Sequence, residues 1–178
     1  MPFTTPRTWV VGEMVNAALL NTYIRDNLQF LHDEMACRVT RTGAAQSIPN
    51  AAFTTIDLDT TDFDTSPGSA MVDLVNNRIN FLVSGKYLIG AILQYASNST
   101  GVRSMRVTYR DTVANSIIAF LRTSVEPTGL ATTYGEGMFD CKAGDYIYLE
   151  AYQDSGAALT ALTLIGLCPL LYCVRKGI

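Results

Sequence analysis

From residue 38 to the end, the chain is cut at close intervals by turn-forming residues, and this spacing constrains the fold more than any other feature. Asn76-Asn77, Ser84-Gly85, Asn98-Ser99-Thr100-Gly101, Pro127-Thr128-Gly129, Ala143-Gly144-Asp145 and Asp154-Ser155-Gly156 each supply residues that accept positive φ or bond their own backbone. The runs between them are too short for helices and rich in β-branched and aromatic types. They read as strands over 38–48, 53–58, 71–75, 78–83, 87–95, 102–110, 116–123, 132–141, 146–153 and 159–174. About ten short strands at this spacing predict a mainly β chain folded as one sandwich. No composition shift marks a second globular domain, so the division is 1–37 for an N-terminal arm and helix and 38–178 for the β domain.

Several strands lack the alternation of a sheet with one wet face. In 87–95, Tyr87, Ile89, Ala91, Leu93 and Tyr95 fill one face, yet Leu88 and Ile92 are apolar on the other. In 146–153, Ile147, Leu149 and Ala151 suit a core while Tyr146, Tyr148 and Tyr152 line the opposite face. Here composition matters: 16% of residues are charged, against roughly 25% in average soluble domains. Strands with two faces to bury and little charge point to a partner subunit, and Tyr146, Tyr148, Tyr152 and Tyr95 are the expected interface. Cover of the tyrosine row by a strand or loop of the same subunit is the alternative.

The N-terminal segment follows another logic. Residues 1–15 contain two prolines and Trp9 with little periodicity, as expected of an extended arm. Asn16 is a good N-cap, and Leu20, Ile24, Leu28, Leu31 and Met35 then recur at spacings of four, four, three and four, predicting one helix of about five turns. The stripe is narrow, with Asn21, Arg25, Asp26, Gln29, Asp33 and Glu34 opposite. It suits a short trimeric coil or docking on a neighbour. The start has neither a basic nor an apolar signal region, so synthesis and assembly in the cytoplasm are expected. The longest nearly apolar run, 159–174, is too short to span a bilayer and reads as buried strand.

Little in the sequence carries chemistry. His32, the single histidine, sits on the polar side of the helix, and no nucleophile elbow, metalloprotease pattern or phosphate-binding glycine loop occurs. The expectation is a non-enzymatic protein without cofactor. Cys37, Cys141, Cys168 and Cys173 lack zinc-ligand spacing and read as free, mostly buried thiols. Asp57, Asp59, Asp62 and Asp64 could hold calcium, although the EF-hand glycine and glutamate are missing, or form a solvated acidic loop. Arg106 and Arg110 share one strand face and Arg103 takes the other; they could meet the acidic loop, meet an anionic sugar or stay at the surface. A net charge of −3 leaves no basic surplus for nucleic acid.

Two stretches resemble known families. The segment Trp9-Val10-Val11-Gly12-Glu13 with Asn16-Ala17-Ala18 and Leu19-Leu20-Asn21-Thr22-Tyr23-Ile24-Arg25-Asp26-Asn27-Leu28 resembles a leader found on tailed-bacteriophage structural proteins. Ile79-Asn80-Phe81 followed by Gly85-Lys86-Tyr87-Leu88-Ile89, and Ala143-Gly144-Asp145-Tyr146-Ile147-Tyr148-Leu149, are similar to the C1q/tumour-necrosis-factor-like jelly roll. The final strand, Cys168-Pro169-Leu170-Leu171-Tyr172-Cys173, departs from that family's aromatic ending.

The first resemblance implies a virion protein and the second a homotrimeric jelly-roll β-sandwich. Together they imply a capsid decoration or short head-fibre protein. Trp9, Leu20, Ile24, Leu28, Leu31 and Met35 would attach it to other virion proteins. The alternative is a tail-associated receptor-binding adhesin that holds a host surface glycan at the loops 98–101, 126–129 and 154–156. Neither role involves a membrane.

Overall fold

The computed structural model describes residues 4–32, 35–125, 130–164 and 169–177. The expected 126–129 tip loop with the whole of its 127–129 turn, Asp33, Glu34 and Cys168 lie outside them, as do the side chains of Leu31 and His32. The helical segment comprises α1 (Ala17–Leu20), a π-helical stretch Asn21–Arg25 and α2 (Asp26–His32). Thirteen strands follow among the described residues: β1 (Ala36–Thr40), β2 (Gln46–Ile48), β3 (Thr54–Thr55), β4 (Thr60–Asp64), β5 (Val72–Asp73), β6 (Arg78–Asn80), β7 (Gly85–Tyr95), β8 (Arg103–Asp111), β9 (Ser116–Val125), β10 (Ala131–Cys141), β11 (Tyr146–Gln153), β12 (Leu159–Ala161) and β13 (Leu170–Gly177). They form two antiparallel sheets. One runs β2-β12-β7-β13-β1-β4, with β10 also paired to β7; the other runs β5-β6-β11-β8-β9, with β3 on β11.

The core lies between the sheets. Tyr87, Ile89, Ala91, Leu93 and Tyr95 of β7 face Met105 and Val107 of β8 and Ile147, Leu149 and Ala151 of β11 in one buried cluster. Full burial of each large apolar side chain contributes about 1.5–3 kcal/mol. At one end an aromatic stack closes the gap between sheets: Tyr109 of β8 on Phe120 of β9 at 4.4 Å, and Phe120 on Phe139 of β10 at 4.3 Å.

Four expectations need correction. The expected 159–174 strand is two strands, β12 and β13, which pair with different neighbours. The expected 38–48 strand likewise divides into β1 and β2. The helix does not reach Met35, which is buried in the core, because Met35, Cys37 and Val39 already follow the two-residue alternation of β1. The acidic stretch also contributes a strand, β4, where only a loop was expected.

Candidate functional site

Two sheet faces point away from the core, and their chemistry differs. On the six-stranded sheet, β11 presents Tyr146, Tyr148 and Tyr152 outward, as the alternation required. These rings are half-buried by their own subunit. The Arg78 guanidinium lies 4.5 Å over Tyr146, and Phe53 packs on Tyr152 at 5.0 Å. Arg106 holds Glu150 with two hydrogen bonds of 2.7 and 3.1 Å and lies 3.7 Å over Phe53. Intramolecular cation–π and ring contacts therefore partly cover this face. Tyr95, expected with the row, is corrected: it has no exposed surface, and its hydroxyl donates to the Ser104 carbonyl at 2.5 Å between the sheets. Burial pushes its phenol pKa up. It holds the core together and offers nothing to a partner.

The outward face of the seven-stranded sheet is built from the even-numbered residues of β7, β10 and β13. Their register lays out rows across the sheet: Tyr134 beside Ile92; Glu136 beside Gly90 beside Tyr172; Met138 beside Leu88 beside Val174. Polar pairs bound the patch. Gln94 donates to Thr132 at 2.9 Å at one end, and Lys86 meets Asp140 at 2.7 Å at the other. Tyr134 and Met138 are 54% and 57% exposed, while Leu88, Ile92, Tyr172 and Val174 are partly covered. Gly90 at the centre lets the Tyr172 ring lie across it, where a Cβ would displace that ring. The Tyr172 hydroxyl donates to the Glu136 carboxylate, so the one charge within the patch is held in place. Leu88 and Ile92 signalled this face from sequence. Tyr134 and Met138 did not, because Glu136 and Asp140 between them make the outward side of β10 look wet.

The leader is a second distinct surface. It is a folded element and not the extended arm expected from its prolines. Asn27, nearly buried, accepts from the Thr4 amide at 2.9 Å and donates to the Thr4 carbonyl at 2.8 Å and the Tyr23 carbonyl at 3.2 Å. Arg7 lies 4.9 Å over Trp9 and 5.6 Å over Tyr23, and pairs with Glu13. Gly12, at φ +81°, makes the turn that brings Glu13 back to the Val10 amide. Asn16 caps the helix by accepting from the Leu19 amide at 3.0 Å. Trp9 thus packs within the leader while remaining partly exposed. Leu20, Ile24 and Leu28 stay exposed along the helix. Among the expected attachment residues whose side chains are described, only Met35 is withdrawn into the sandwich.

The remaining candidates resolve into structural roles. Asp59 accepts from the Thr42 and Gly43 amides at 2.7 and 2.8 Å; those donors and two hydroxyls outweigh burial and keep its pKa low. Asp62 pairs with Arg38 at 2.7 Å, Asp64 caps Ser66 and Val72, and Asp57 approaches Arg41 at 3.8 Å. Among the described residues no cluster of metal-ligand side chains occurs. Arg103 is fully buried and donates to the Asn98, Thr100 and Val102 carbonyls, clamping the β7–β8 loop. Arg106 meets Glu150 and Arg110 meets Asn115, so neither reaches the acidic stretch of its own subunit.

A tumour-necrosis-factor protein, Eiger from S. frugiperda, superposes with a TM-score of 0.66 at 10% identity, over 82% of this chain and 94% of that one. Murine APRIL at pH 5.0 superposes with a TM-score of 0.58 at 14% identity, over 80% of this chain and 99% of that one. The fold is a tumour-necrosis-factor-like jelly roll. No protein-family model matches the sequence, and no curated protein matches it. Among the described residues, no helix is long and apolar enough to cross a membrane.

Proposed function

We propose that this chain is a non-enzymatic structural protein of a tailed-bacteriophage virion. It acts as a homotrimeric capsid decoration or short head-fibre protein that assembles in the host cytoplasm and attaches by its N-terminal segment. The observation that carries this reading is the leader. Residues by which it resembles phage leaders, Trp9, Gly12, Glu13, Asn16, Tyr23 and Asn27, join Thr4 and Arg7 in folding it into a capped and internally bonded unit. Among the described elements its helical segments make substantial contact with one another and not with the strands, leaving Leu20, Ile24 and Leu28 exposed to meet a virion protein. The jelly roll supplies the projecting body, and the apolar β7/β10/β13 face supplies the trimer seam. That face is preferred to the tyrosine row because it lacks the row's arginine cover.

Removing residues 1–34, which leaves Met35 in the core, tests the attachment role. The truncated protein is expected to stay folded and trimeric but to lose co-sedimentation with phage particles. Truncated protein that still co-sediments would refute attachment through the leader. Truncated protein that no longer attaches to particles but saturably binds host cell walls would instead place the protein among receptor-binding adhesins.

A further inference from the structure

Cys37 and Cys173 stand directly opposite each other on β1 and β13. The Arg175 amide donates to the Met35 carbonyl at 2.8 Å and the Arg41 amide to the Pro169 carbonyl at 3.0 Å. The two-residue alternation of an antiparallel ladder therefore makes 37 and 173 a hydrogen-bonded pair, with Cα atoms about 5.5 Å apart. That separation falls within the roughly 4.4–6.8 Å a disulfide spans. Both side chains face the core, both are fully buried, and their sulfurs are 3.6 Å apart.

We propose that Cys37 and Cys173 are a pre-positioned dithiol that closes to a disulfide under oxidising conditions, tying the first strand of the sandwich to its last. With glutathione disulfide as oxidant, one cysteine thiolate attacks a glutathione sulfur and expels glutathione thiolate. The second cysteine thiolate then attacks the mixed disulfide at the protein sulfur and expels the other glutathione. Two electrons pass from the cysteine pair to glutathione disulfide, and the two thiol protons end on two molecules of reduced glutathione. The attacking species must be a thiolate. In the closed fold the hydrogen bond with Cys37, together with burial, raises the Cys173 pKa. Closure therefore takes place while the five-residue β1 is open, either during folding or in later local opening. Cys141, also in the core and pushed up to about 12 by burial, lies at the end of β10 opposite Gly85, away from the facing pair.

The test uses the full chain in two arms. In one it is unfolded and refolded in mixed reduced and oxidised glutathione; in the other, never-unfolded protein is incubated with glutathione disulfide. Free thiols are capped, the protein is digested without reductant, and fragment ions locate any link. The expected product joins Cys37 to Cys173 in the refolded protein and forms more slowly in the native protein. Cys141→Ser should leave its yield unchanged and Cys37→Ser should abolish it. Recovery of Cys37 and Cys173 as capped thiols in both arms, or a link from Cys173 to Cys141 or Cys168, would overturn the proposal.

Discussion

At the turn entering β11, Asp145 is buried and accepts from the Tyr109 hydroxyl, from the Thr112 amide at 2.8 Å and from the Thr112 hydroxyl at 2.8 Å. Burial alone would raise its pKa, but these donors outweigh it and hold the carboxyl below its usual range. Asp145→Asn would turn an amide N–H₂ toward a donor and remove a charge-assisted acceptor. A loss of about 2–4 kcal/mol is expected in equilibrium urea unfolding at neutral pH. Asp59, Asp73 and Asp111 are lowered too. With depressed native values, the folded state binds fewer protons than the unfolded chain, whose aspartates titrate near 3.9. Their stabilisation is complete above about pH 4 and is lost as pH falls through the depressed values. Urea midpoints from pH 7 to pH 2 should decline below about pH 4, and less steeply in Asp145→Asn; an equal decline in both would refute the assignment. The Ala143-Gly144-Asp145 turn was legible because Gly144 supplies its positive φ of +90°. The role of its aspartate was not, since the partners lie 36 and 33 residues away and nothing local marks them.

At the scale of elements, the leader shows where periodicity runs out. A spacing of four cannot reveal a π-helical stretch, in which the Asp26 amide reaches back to the Asn21 carbonyl. At the junction with the sandwich, Met35 satisfied the helical stripe and the β1 alternation equally well, and only core packing separates the two. Leu20, Ile24 and Leu28 stay on the surface where the stripe placed them. The arm's lock on Asn27 gives an element-level prediction. Asn27→Ala removes three hydrogen bonds, so tryptic cleavage after Arg7 should accelerate roughly tenfold while the thermal midpoint of the sandwich stays within about 2 °C. A cleavage rate equal to wild type would show that the arm is held by other contacts.

For the whole molecule, the shortage of charge had pointed to strands with two buried faces, and the structure distributes that shortage unevenly. The six-stranded sheet packs Arg78 and Phe53 on its tyrosines and Arg106 on Phe53, whereas Tyr134 and Met138 on the β7/β10/β13 face stand exposed. The sequence periods identified which strands had two apolar faces; which face stays open depends on arginines arriving from other strands. Met138→Asp is therefore expected to yield monomers by multi-angle light scattering, since it would place an unpaired charge in the proposed trimer seam, while Tyr148→Asp is expected to stay trimeric. The reverse pattern would return the seam to the tyrosine row, and a monomeric wild type would refute the trimer. The position of β1 also has a mechanical consequence. The leader joins the sandwich at Ala36, and β1 is bonded to β13 on one side and β4 on the other. A pull on the leader along that strand would load both ladders in shear, so their hydrogen bonds would have to fail together instead of unzipping singly, as the proposed attachment role would demand.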